Sequence, residues 1–235
     1  MLSKLGVASR TQATAWIEQG RVAVNGRIVR DAEAPTDPAR DRIALDGVEV
    51  AASERVYVML NKPRGIVTTA SDERGRDTVY AWLEGAQLPW LAPVGRLDKA
   101  SEGLLLFSND TQWAAAITAP ETHLDKTYHV QVDRLPDADL LAAMVAGVDD
   151  RGERLALKAV RELRRGEKNA WLEIVLDEGR NRQIRRVLAA FDIAVLRLVR
   201  VAVGPLALGD LPKGRWRKLT PDEVRSFGTM LRAPS

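Results

Sequence analysis

The stretch VGRLDKASEGLLLFSND, residues 94–110, decides how the chain is read. It sets Arg96, Asp98 and Lys99 between a small apolar lead-in and the unbroken run Gly103 to Phe107. A continuous apolar run bounded by polar residues is the pattern of a strand buried on both faces. An aspartate beside such a strand ordinarily caps backbone amides in a turn. The alternative is a carboxylate held among cations at the rim of a core, where it serves as a nucleophile or a base.

The rest of the composition narrows the choice. Of 235 residues 46% are hydrophobic, enough for a real core, and the length suits one large domain or a small one joined to a larger. With no cysteine, disulfides, thiolate catalysis and cysteine-ligated zinc are excluded. The only histidines are His123 and His129, read as structural or exposed. No apolar run approaches a membrane span and the N-terminus lacks an apolar signal core, so a soluble cytoplasmic protein is expected. No Walker loop, G-x-G-x-x-G, H-E-x-x-H or G-x-S-x-G occurs, so neither a cofactor nor a metal is expected.

The net charge of +3 says little about partners, but its distribution says more. Arg180, Arg182, Arg185, Arg186, Arg197 and Arg200 fall within 21 residues that hold one acid, Asp192. Such a cluster is either a solvated face or a phosphate-binding surface. The preference for arginine over lysine favours a ligand, because the planar fork suits phosphates and base edges.

Residues 9–20 predict a short helix, with Ser9 as N-cap, Gln12 in capping-box position and Gly20 as the stop. Two hairpins follow, on Asn25-Gly26 and on Asp46-Gly47, dipeptides that suit tight type I′ turns. Residues 1–50 therefore form a compact unit, 51–55 a linker and 56–235 a larger, strand-rich domain. Within the latter, residues 56–62, 103–108, 126–132, 153–160, 160–165, 170–179 and 194–204 predict strands. Residues 78–83, 111–118, 137–147 and 180–191 predict helices, and 214–224 a strand leading to a capped final helix. In the 180–191 helix, Arg182, Arg185 and Arg186 are expected to share one face. Strands run together with helices interrupting irregularly, so the class is α+β with a mixed or mainly antiparallel sheet.

Several ordered motifs resemble those of the RNA pseudouridine synthases. VGRLDKASEGLLLF resembles the family's G-R-L-D signature, LNKPRGIVTT its N-K-P strand and DKTYHVQV its K-x-Y motif. LDEGRNRQIRRVL resembles its E-G-R-N-R-Q-[IV]-R-R motif, and residues 200–220 its C-terminal pattern. SRTQATAWIEQGRVAVNGRIV is similar to an S4 RNA-binding domain with a shortened start. An S4 unit ahead of this catalytic domain implies the branch that modifies single uridines in ribosomal RNA, with a lean toward the large subunit.

The resemblance implies a reaction without a cofactor, in which uracil is detached from ribose, rotated and rejoined through carbon. It assigns Asp98 to attack of C1′ or removal of a C2′ proton, and Tyr128 to stacking on the uracil and assisting loss of the C5 proton. Arg185 would pair with Asp98, Arg180 being the other candidate, and Arg96 would fill the space of the flipped uridine or hold a phosphate. Lys126, Arg182 and Arg186 would contact RNA, while Ile184 and Leu198 would floor the base pocket or serve as plain core. In the small unit Arg10, Arg21, Asn25 and Arg27 would face RNA, and Trp16 is read as core. The expected partner is ribosomal RNA or an assembly intermediate, the expected state a monomer. Competing readings are a small-subunit RNA enzyme, a transfer-RNA enzyme and a non-catalytic assembly factor.

Overall fold

The computed structural model describes residues 1–3, 5–37, 40–51, 53–69 and 77–230. Of the loop read at 71–77, all but Asp77 lies outside them. Helix α1 (Arg10–Glu18) starts where Ser9 Oγ accepts the Gln12 backbone N–H at 3.0 Å. Strands β1 (Val22–Val24), β2 (Arg27–Ile28), β3 (Ile43–Leu45) and β4 (Val48–Glu49) form an antiparallel sheet in the order β2-β1-β3-β4. Asn25 and Gly26 take φ of 50° and 80°, Asp46 and Gly47 51° and 80°, the paired left-handed conformations that a type I′ turn requires. Ala13, Val22, Ile43 and Leu2 bury between helix and sheet, with Trp16 packed half-buried against them.

The second sheet begins with β5 (Tyr57–Lys62), β6 (Ala92–Val94), β7 (Glu102–Ser108) and β8 (Lys126–Val132). A separate hairpin of β9 (Val148–Asp150) and β10 (Glu153–Leu155) follows. The sheet then continues with β11 (Ala159–Arg165), β12 (Ala170–Leu176), β13 (Val195–Val203), β14 (Leu206–Ala207) and β15 (Trp216–Lys218). Its order is β11-β12-β8-β13-β7-β5-β15, with β14 on β13 and β6 on β7. The β13–β7 pair is parallel and the other pairs are antiparallel, as the mixed-sheet reading expects.

Helices α2 (Thr111–Thr118), α3 (Ala138–Ala146), α4 (Gln183–Ala189) and α5 (Pro221–Met230) complete the layers. Met144 of α3 and Val187 and Leu188 of α4 bury with Val130, Leu172 and Ile174 of the sheet. Leu104 and Leu106 bury with Ile117 of α2 and Phe227 of α5, whereas Leu105 and Phe107 bury with Val79, Leu91 and Leu97. Strand β7 is thus covered on both faces, which is why its sequence is apolar without alternation. Gly103, at φ +101°, lets β7 meet β13: a Cβ there would stand 2.2 Å from the Arg200 carbonyl oxygen.

Three sequence expectations need correction. Residues 78–83 wind only one 3-10 turn, Val79–Trp82. The strand expected at 153–160 breaks after Leu155, and Val148–Asp150 pairs with its first part around a left-handed Arg151-Gly152 turn. The helix expected at 180–191 starts at Gln183, because Arg182 is left-handed at φ 51°. Arg182 therefore precedes the helix, and no shared face with Arg185 and Arg186 forms. Arg186 instead binds Asp150 and Glu153 of the β9–β10 hairpin.

Candidate active site

Asp98 lies on the connection between β6 and β7, and that connection is gripped by its backbone. The Leu97 carbonyl accepts the Thr68 hydroxyl at 2.8 Å, and the Lys99 carbonyl accepts the Gly65 N–H at 2.7 Å. Arg185 Nη2 donates to the Ala100 carbonyl at 3.2 Å. Lys62 Nζ donates to the carbonyls of Asp98 at 3.2 Å, Ser101 at 2.9 Å and Pro63 at 3.0 Å. Five consecutive carbonyls, from Leu97 to Ser101, are therefore each held by a donor from outside or across the turn. The side chain of Asp98 is left to face a pocket, with 39% of its surface open.

The pocket encloses about 770 Å³, within the range of ligand sites. It brings together Asp98, Tyr128, Arg185, Arg96, Lys126, Arg180, Arg182, Ile184 and Leu198. Lys126 and Tyr128 reach it from alternate positions of β8, on one face of the sheet. Ile184 and Leu198 are buried and belong both to the pocket wall and to the core beneath it. Its walls carry seven cationic side chains and two carboxylates, Asp98 and Glu178. This imbalance suits a polyanion.

The pairing within the cluster differs from the sequence expectation. The guanidinium in ion-pair range of Asp98 is that of Arg182, with Nη1 3.8 Å from Oδ2. Arg185 serves the turn through Ala100, and its buried Nε has no bonded partner among the described residues. Burial, then the charge of Arg182, lowers the Arg185 pKa, while Asp98 opposes them. Arg180 is engaged by Glu178 at 2.8 Å and by the Arg154 carbonyl at 3.2 Å.

Arg186 is not part of the pocket lining. The residues of the small unit lie elsewhere. Arg10 and Arg27 are exposed, Arg21 pairs with Asp46 at 2.5 Å beneath which Trp16 lies, and Asn25 bonds Asp41 and the Arg42 N–H. Sequence reasoning missed Lys62 and Thr68. Both lie in LNKPRGIVTT, the stretch that resembles the family's N-K-P strand, and the visible signal for Lys62 is a lysine closing a strand that is apolar up to Leu60.

A family model described as RNA pseudouridylate synthase matches residues 56–190, and an S4 domain model matches residues 1–38. The chain belongs to the RNA pseudouridine synthase family. The synthase is 34% identical to the ribosomal large subunit pseudouridine synthase B of Bacillus subtilis, over 96% of this chain and 92% of that one. It is 37% identical to an RNA pseudouridine synthase of Aquifex aeolicus, over 95% and 90%. A crystal structure described as a pseudouridylate synthase superposes with a TM-score of 0.68 at 31% identity, covering 96% of each chain. No described helix of the synthase is long and apolar enough to cross a membrane.

Proposed function

We propose that this synthase converts one uridine of ribosomal RNA to pseudouridine, the large-subunit RNA being the substrate. A relative named for that RNA, matched nearly end to end, supports the choice of substrate. The observation that carries the chemistry is the convergence of Asp98, Tyr128 and a guanidinium cluster in one pocket. Residues 1–50 act as the RNA-binding unit, 51–55 as the linker and 56–235 as the catalytic domain, in a cytoplasmic monomer.

Reaching the uridine requires taking it out of its stack, and Arg96 at the rim is placed to occupy the gap or hold a phosphate. Asp98 then attacks ribose C1′, displacing uracil N1 with its electron pair, or removes the C2′ proton as uracil N1 leaves with the electron pair of the C1′–N1 bond, giving a glycal. The freed uracil turns over Tyr128 and its C5 bonds to C1′, as the Asp98–C1′ ester bond breaks on the first route or as Asp98 returns the proton to C2′ on the second; loss of the C5 proton with protonation of N1 completes an isomerisation. Arg182 holds the Asp98 carboxylate electrostatically, and Arg185 fixes the turn that carries it. Arg10, Arg21 and Arg27 contact RNA phosphates on the small unit.

Tritium released from C5-labelled uridine in ribosomal transcripts tests this reading. The wild type releases label from the large-subunit transcript, and Asp98→Asn releases none while its melting temperature stays near that of the wild type. Release by Asp98→Asn at the wild-type rate would remove Asp98 from the mechanism.

A further inference from the structure

On two neighbouring strands of the same pocket, Lys126 of β8 and Arg200 of β13 have no carboxylate within ion-pair distance among the described residues. Arg200 is buried at 7% exposure, and its Nε donates to the Leu104 carbonyl at 2.8 Å. That bond engages neither Nη atom. Lys126 is half-buried, with no bonded acceptor for its ammonium among the described residues. The acids nearest to Lys126 in sequence and charge are engaged elsewhere: Asp125 holds Lys158 at 2.6 Å, and Asp177 faces His123 at 3.4 Å. Desolvation, then repulsion by Arg200, lowers the Lys126 pKa, with Asp177 and Asp125 acting against that shift.

Two neighbouring cations, one buried and one half-buried, with no carboxylate in ion-pair contact are costly, and the cost is relieved when an anion enters. Of the other pocket arginines, Arg180 has Glu178 and Arg182 has Asp98, Arg96 is exposed to solvent, and Arg185 Nη2 is held by the Ala100 carbonyl. We propose that Lys126 and Arg200 form a phosphate seat on the pocket floor, taking the backbone phosphate that adjoins the uridine acted on by Asp98. The proposal rests on the synthase reading above. A lysine point charge beside an arginine fork suits a phosphodiester oxygen pair. The position suits a nucleotide as well. Lys126 is two residues along the same strand face from Tyr128, so a base stacked on the ring leaves its phosphate within reach of the ammonium.

The test uses the intact wild-type protein. Lys126 is labelled with an amine-reactive reagent alone, with uridine, with uridine 5′-monophosphate and with inorganic phosphate, with exposed Lys168 as the internal standard. Saturating uridine 5′-monophosphate should slow Lys126 labelling roughly tenfold, the scale of a charge-assisted hydrogen bond, while uridine leaves it unchanged. In parallel, Lys126→Met should raise KM for the transcript more than it lowers kcat, and reduce the salt slope of binding by about 0.7. Equal labelling with and without uridine 5′-monophosphate overturns the seat, as does protection by inorganic phosphate but not by the nucleotide. If the wild type still forms pseudouridine in that case, the synthase reading stands without the seat. If nucleotide protection appears but neither ribosomal RNA is modified, the seat holds and the substrate reading fails.

Discussion

At the scale of single residues, Lys62 brings a positive charge to a place without solvent, where the carbonyls of Pro63, Asp98 and Ser101 surround it. Burial pulls its pKa down to about 8, with Asp98 and Glu102 acting against that shift. Because the folded value lies below the unfolded one, the unfolded chain holds more protons between about pH 8 and the ordinary lysine range. In that window the group's contribution to stability rises with pH, and below it the cost of burying the charge is present in full. Function goes the other way, since a neutral amine has two hydrogens for three carbonyls and the Asp98 turn loosens. Denaturant titrations at pH 7 and pH 9.5 should therefore show the wild type gaining stability relative to Lys62→Met, while wild-type turnover falls. At pH 7, Lys62→Met should cost about 2–4 kcal/mol, from carbonyls left unpartnered in the interior. A variant as stable and active as the wild type at both pH values would show that the clamp is dispensable. Asp98 was legible from its motif. Lys62 was not, because a lysine at a strand end ordinarily reads as a solvent-facing residue, and its three carbonyl partners are 1, 36 and 39 residues away.

At the scale of elements, the site depends on β7 and β13 lying side by side in parallel, since one follows Asp98 and the other carries Leu198 and Arg200. Their closeness rests on Gly103. Gly103→Ala puts a methyl group against the Arg200 backbone at a left-handed φ, which should cost roughly 3 kcal/mol or more. Thermal unfolding measures this directly, and a loss under about 1 kcal/mol would mean that the strands part without penalty. The hairpins were legible because Asn25-Gly26 and Asp46-Gly47 carry the left-handed conformations that their turns need. The start of α4 was not legible. Its periodicity runs back to Arg180, and only the left-handed Arg182 interrupts it, a conformation that arginine does not advertise. Arg186, which the resemblance places among the RNA contacts, is held through its guanidinium by the β9–β10 hairpin.

At the scale of the whole molecule, charge is concentrated rather than abundant: a net +3 overall, yet seven cations against two carboxylates around one pocket. Arg10 and Arg27 place further exposed positive charge on the small unit. Replacing both with alanine should weaken binding to ribosomal RNA fragments uniformly across sequences and flatten the salt slope by roughly 1.5–2. An unchanged slope would show that the small unit does not grip phosphates through these residues. The α+β class and the order of elements were readable from alternation and turn residues. The pairing of distant strands, such as β7 with both β5 and β13, was not, because β7 is an unbroken apolar run from Gly103 to Phe107 and its sequence marks no preferred neighbour. The central claim is tested most directly by mapping pseudouridine on unmodified large- and small-subunit ribosomal transcripts, incubated with the wild type and with Asp98→Ala, by carbodiimide labelling and primer extension. One new stop in the large-subunit RNA, absent with Asp98→Ala, is the predicted result. A stop that persists with Asp98→Ala, or none in either RNA or in the ribosomal particles built on them, would contradict the account.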